Sequence, residues 1–167
     1  MSDYDKALKI DSNYAIAYYN RGVVRSNLKD YQGAISDYDK ALKIDPNNAI
    51  AYNNRGVARR NLKDNQGAIS DYDKALKIDP NYVSAYYNRG NARSDLKDYQ
   101  GAISDYDKAL KIDPNYASAY VNRGIAFYMV GDKRKAREDW ETGAQLHRQQ
   151  GNEDGYKNAM DNIRNSK

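Results

Sequence analysis

At 167 residues the chain is long enough to bury a sizeable core, yet it has no Cys and one His, His147. That excludes a disulfide framework, a thiol nucleophile and thiolate metal sites, and leaves almost no material for histidine metal sites or nucleophile–histidine dyads. Twenty-seven basic and 23 acidic residues leave a net charge of +4 with the signs interleaved, which reads as a solvated surface rather than a nucleic-acid stripe.

The expected elements, in chain order, are all helices. The first spans 3–11. It opens MSDYDKALKID, without the basic and apolar regions of a signal peptide, so a cytoplasmic location is the default. Mean hydropathy is −1.03, and no apolar run approaches the length of a membrane helix. Residues 2–11 repeat 36–45 letter for letter, so 1–12 reads as the second-helix remnant of a truncated unit. Tyr4, Ala7 and Leu8 would then lack a cover on one side. Such an open apolar end would fray or self-associate, making a homodimer through the N-terminal end possible.

The next expected helix, 15–28, carries Tyr18, Gly22 and Arg25 on one stripe. A further helix, 31–44, carries Ala34, Tyr38, Ala41 and Leu42, with Asp30 placed to cap its start. Asp45-Pro46-Asn47 breaks it, and Asn47 or Asn48 can cap its successor. The same reading recurs for 49–62, 65–78, 83–96, 99–112, 117–130 and 133–148. The final helix, 152–165, is different: Tyr156, Met160 and Ile163 form one stripe among polar residues, as suits a capping helix.

The recurrence has a fixed step. Pro46, Pro80 and Pro114 are successive at 34 residues, and Gly22, Gly56, Gly90 and Gly124 keep that step. So do Tyr18, Tyr52, Tyr86 and Tyr120, and the series Tyr4, Tyr38, Tyr72, Tyr106 and Trp140. GAISDYDKALKIDPN occurs unchanged at 33–47, 67–81 and 101–115. The skew to 17 Tyr against one Trp and one Phe reflects one copied motif. On these residues the chain resembles the tetratricopeptide-repeat (TPR) family over about residues 2–148. The resemblance implies an all-α, right-handed superhelical solenoid of antiparallel hairpins at 13–46, 47–80, 81–114 and 115–148, with 149–167 as the cap. It also implies a non-enzymatic protein-interaction scaffold that binds a peptide or protein segment in a concave groove. A purely structural or self-assembling array, natural or designed, is the alternative.

Asn20, Asn54, Asn88 and Asn122 stand two residues after each first-helix Tyr, about 200° around the helix from it. The resemblance implies that they line the groove and grip peptide backbone, since Asn both donates and accepts hydrogen bonds. Tyr19, Asn53, Tyr87 and Val121 are further lining candidates, followed by Val23, Val57, Asn91 and Ile125. Next come Ser26, Arg60, Ser94 and Tyr128, with Arg60 the one cation. Stacking of neighbouring hairpins would use the same side chains. Of these, Asn20, Asn54, Asn88, Asn122, Tyr19, Tyr87 and Arg60 are the expected peptide-binding set.

Arg21, Arg55, Arg89 and Arg123 keep step with Asp37, Asp71, Asp105 and Asp139 and read as ion pairs within each hairpin. The Asn-Arg-Gly triplets resemble co-chaperone TPR domains, which clamp acidic tails with Lys four residues before the Asn. Here Ile16, Ile50, Ser84 and Ser118 occupy those places, so a full carboxylate clamp is not expected. His147, near a helix end, is expected to be solvated. No nucleophile–base pair, metal box or phosphate loop is visible, and no cofactor, nucleic acid or membrane partner is expected.

Overall fold

The computed structural model describes residues 2–166. They form α1 (Ser2–Ile10), α2 (Ala15–Asn27), α3 (Tyr31–Ile44), α4 (Ala49–Asn61) and α5 (Asn65–Ile78). Then follow α6 (Val83–Asp95), α7 (Tyr99–Ile112), α8 (Ala117–Met129), α9 (Lys133–Gln149) and α10 (Glu153–Asn165). No strand occurs among the described residues, and every helix end lies within one residue of its expected place.

Local chemistry sets those ends. Asp30, Asp64 and Asp98 each accept a hydrogen bond from the backbone N–H three residues on, capping α3, α5 and α7. Asn48 caps α4 through Ala51, and Asn152 caps α10 through Gly155. The first helices stop where the chain turns left-handed, at Lys29, Lys63 and Lys97, with φ of 63°, 67° and 64°. The Asp30 N–H then reaches back to the Arg25 carbonyl at 2.9 Å, closing a Schellman turn. Gly131 makes the same turn after α8, with φ 89° and no side-chain penalty.

The chain divides into two compact units, 1–85 and 86–167, with the boundary inside α6. In the first unit α2 pairs with α3 and α4 with α5, α3 also packs on α4, and α1 lies against α2. Its core joins Ala34, Tyr38 and Ala58, with Tyr19, Val23, Tyr31 and Ile35 against them. Large and small residues interlock here: a Cβ on Gly56 would come within 2.6 Å of the Tyr72 ring. In the second unit α8 packs on α7 and α9, and α10 covers α9 and touches α8. Val121, Trp140, Ala144, Ala159 and Ile163 form its larger core, with Tyr156 and Met160 against it. The capping stripe read for the last helix is thus the buried one.

Candidate functional site

Two sets of side chains occupy the first helices, one serving the hairpins and one facing the cavities. The first set centres on buried aspartates. Arg55 donates from Nε and Nη2 to the two carboxylate oxygens of Asp71, at 2.9 and 2.6 Å. Arg21–Asp37, Arg89–Asp105 and Arg123–Asp139 repeat the fork, so the pairing within each hairpin is present four times. Two further links were not read from the sequence. Arg55 also reaches Asp39 of the preceding hairpin at 2.5 Å, as Arg21 reaches Asp5 and Arg123 reaches Asp107. A second arginine, Arg25, Arg59 or Arg93, joins each of the first three aspartates at 2.8–2.9 Å. The recurrence of these arginines at 34 residues, one turn beyond the first, was the available signal.

Burial alone would weaken the proton on the Arg55 guanidinium, but its bonds to Asp71 and Asp39 hold it more firmly than usual. In the fourth hairpin Phe127 stands where the second arginine would be, so Asp139 keeps Arg123 alone. Burial there pushes the Asp139 carboxyl above its ordinary range, against the pull of Arg123.

The second set is the asparagine series. Asn54 on α4 donates to the Tyr19 hydroxyl on α2 at 3.1 Å. Asn122 on α8 does the same to Tyr87 on α6 at 3.1 Å, and also donates to Asn91 at 2.8 Å. Asn54 and Asn122 are half-buried rather than open to water, because each is tied to the hairpin before it. Asn20, Asn88 and Arg60 are half-buried on α2, α6 and α4. Tyr19 and Tyr87 accept from these asparagines through an oxygen whose own proton can still be donated.

Cavities border this set in each unit. In the first, a cavity of about 190 Å³ lies between Val23 and Ser26 of α2 and Asn54 and Val57 of α4. In the second, one of about 380 Å³ is walled by Tyr87, Ser118, Asn122 and the start of α10, including Asn152, Asp154 and Asn158. Asn53 and Asn91 are buried, so at those lining candidates packing has claimed the side chain, whereas buried Val121 still lines the cavity of the second unit. Tyr87 also lies 4.8 Å from the Tyr116 ring, and burial pushes the Tyr116 phenol up to about 12.

His147 corrects the sequence expectation. It is 5% exposed, not solvated, because α10 folds back over α9 and sets Gly155 against the imidazole. A Cβ on Gly155 would come within 2.5 Å of Nδ1. That nitrogen is buried without a hydrogen-bond partner, burial lowers the ring's pKa, and the ring lines the 380 Å³ cavity. A glycine in the first turn of the last helix was the only sequence sign of this contact. Among the described residues, no group of three or more acids and histidines could hold a metal ion, and no helix is long and apolar enough to cross a membrane.

Models of the tetratricopeptide repeat match residues 15–48 and 37–70, and a model of the TPR repeat matches 58–97 and 90–131. No curated protein matches the sequence. Among solved structures, the crystal structure of MamA is similar at 25% identity, with 89% of this chain and 86% of that one covered and a TM-score of 0.84. The first TPR of Spaghetti (RPAP3), bound to the HSP90 peptide SRMEEVD, is 30% identical over 72% of this chain and 95% of its own, with a TM-score of 0.69. An Arabidopsis OM64 TPR domain is 32% identical over 68% and 94%, with a TM-score of 0.67.

Proposed function

This chain belongs to the tetratricopeptide-repeat family, and from that premise we propose that it holds a peptide segment of a partner protein along the faces of its first helices. Its fold is that of protein-interaction scaffolds. The observation that carries the finer reading is that a cavity in each unit is bordered by a member of the asparagine series, Asn54 in one and Asn122 in the other. Beside each stands a tyrosine, Tyr19 or Tyr87, held by that asparagine. A peptide backbone needs both donors and acceptors along its length. The tyrosine protons supply the first and the asparagine carbonyls the second. Tyr adds wide contact area at low entropy cost. On this reading the chain is non-enzymatic, cytoplasmic and free of cofactors, and binds neither nucleic acid nor membrane.

The relative solved with an HSP90 peptide takes an acidic segment. This chain has Ile16, Ile50, Ser84 and Ser118 where a carboxylate clamp needs cations, so its peptide is of another kind. A purely structural or self-assembling array is the second reading, favoured by the fact that Asn54 and Asn122 are already bonded between hairpins. A peptide array followed by calorimetric titration separates the two. Replacing Asn54 and Asn122 with Ala should weaken a bound peptide by about 1–3 kcal/mol through lost hydrogen bonds. A peptide held equally well by the double variant moves the site elsewhere, and an array without any bound peptide supports the structural reading.

A further inference from the structure

We propose that the cavity of about 380 Å³ in the second unit is a pocket for a basic side chain, lysine or arginine, of the bound peptide. This deepens the peptide-groove reading and rests on it. The walls come from α6, α8, α9 and the start of α10. Asp154 is the one acidic residue in this lining, and no Lys or Arg belongs to it. The other polar side chains are the hydroxyls of Ser118 and Tyr87 and the amides of Asn122, Asn152 and Asn158, each able to accept as well as donate.

Donor and acceptor arithmetic selects the ligand. An ammonium brings three donors and a guanidinium five, and neither brings an acceptor. The hydroxyls and amides of the wall can each turn an acceptor toward such a group, and the Asp154 carboxylate, which only accepts, complements its charge. A carboxylate ligand would face Asp154 with no cation to offset it, and an aliphatic side chain would strip water from those groups without replacing its hydrogen bonds. His147 supports the assignment independently. Its ring lines the cavity, and its Nδ1 is buried without a partner. Buried polar atoms left unpaired are rare in folded proteins, and a donor-rich ligand is what this wall lacks. Burial also keeps the imidazole neutral at pH 7, so it does not oppose a cation.

The test uses N-acetyl-arginine methylamide, N-acetyl-lysine methylamide and N-acetyl-glutamate methylamide, titrated into the full chain and followed by NMR. His147 is the only histidine, so its ring gives an unambiguous signal at the pocket. At least one basic probe should shift that signal saturably, and the glutamate probe should not. Asp154→Asn, at an exposed position, should leave the fold intact and weaken the basic probe about tenfold, the loss expected of a charged hydrogen bond. A saturable shift by the glutamate probe, no shift by either basic probe, or an Asp154→Asn variant that binds as tightly as the parent overturns the pocket. The two readings fail separately. A peptide weakened by Asn54→Ala, in the other unit, but indifferent to Asp154→Asn keeps the groove and removes the pocket. A basic probe dependent on Asp154, with peptides indifferent to Asn54→Ala, does the reverse.

Discussion

Asp71 is fully buried and holds two arginines, Arg55 through a fork and Arg59 at 2.9 Å. The two ends of that network are not equivalent. Arg55→Leu removes one cation, but Asp71 keeps Arg59, and Asp39 is exposed enough to be hydrated. Asp71→Ala instead leaves Arg55, 8% exposed, without its forked partner, and also removes the carboxylate from Arg59. Arg55 then keeps only the exposed Asp39, and breaking a buried ion pair by removing one partner costs about 3 kcal/mol or more. Asp71→Ala should therefore lower the melting temperature much further than Arg55→Leu, measured by thermal circular dichroism. Equal and negligible shifts in both variants would show that the network contributes nothing. The pairing itself was legible because Arg and Asp keep the same 34-residue step. The second arginine was not, because Arg25 on the helical stripe of Tyr18 and Gly22 reads as one more packing position. The state of Asn54 and Asn122 was equally hidden. Their angle from the core stripe is visible in sequence, but the tyrosine that ties each one lies 35 residues away on another hairpin.

Among the elements, the second helices were the easiest to read, since a capping Asp stands directly before each start. The α9–α10 pair was the hardest. Nothing periodic marks it, and whether His147 lies under α10 depends on how the last helix folds back. That contact makes the cap sensitive to pH. Burial lowers the His147 pKa below its ordinary 6.5, so the folded chain binds its proton less readily than the unfolded chain. Stability from the neutral ring is therefore present above about pH 6.5 and is lost as pH falls through that value. Buried Asp139 has the opposite sign: its raised pKa favours the folded state as pH falls through the window above 3.8. Measurements between pH 7.5 and 6 keep the two apart. In that range the parent's melting temperature should fall with acid, and His147→Phe should flatten the slope. The His147 ring signal should titrate with a midpoint below 6.5, and a midpoint at or above it would refute the account.

At the scale of the whole molecule, near-identical copies make each unit a set of like contacts rather than a set of unique ones. Ala34, Ala68, Ala102 and Ala136 are all fully buried, and Tyr38, Tyr72, Tyr106 and Trp140 are nearly so. The second helices bury the same positions because the same residues recur on each. Sequence alone gave this architecture, since a strict period carries its own packing rule. It also gave the exception, α1, where Tyr4, Ala7 and Leu8 are only half-buried although the same letters are buried in α3, as a missing cover on one side implies. Burial belongs to the neighbours, not to the segment. If stability is a sum over like neighbours, one full period can be removed without destroying the fold. Excising residues 47–80 joins Pro46 to Asn81 and recreates the Asp-Pro-Asn-Tyr junction that already stands at 79–82. The shortened chain should keep its helicity per residue and unfold cooperatively at a lower temperature. Excising half a period, 47–63, removes α4 and leaves Asp71 facing no Arg55 or Arg59, so that chain should lose both helicity and its sharp transition. Circular dichroism on the two deletions decides the matter. A full-period deletion that unfolds as badly as the half-period one would mean that the copies are not interchangeable, whatever their sequence identity.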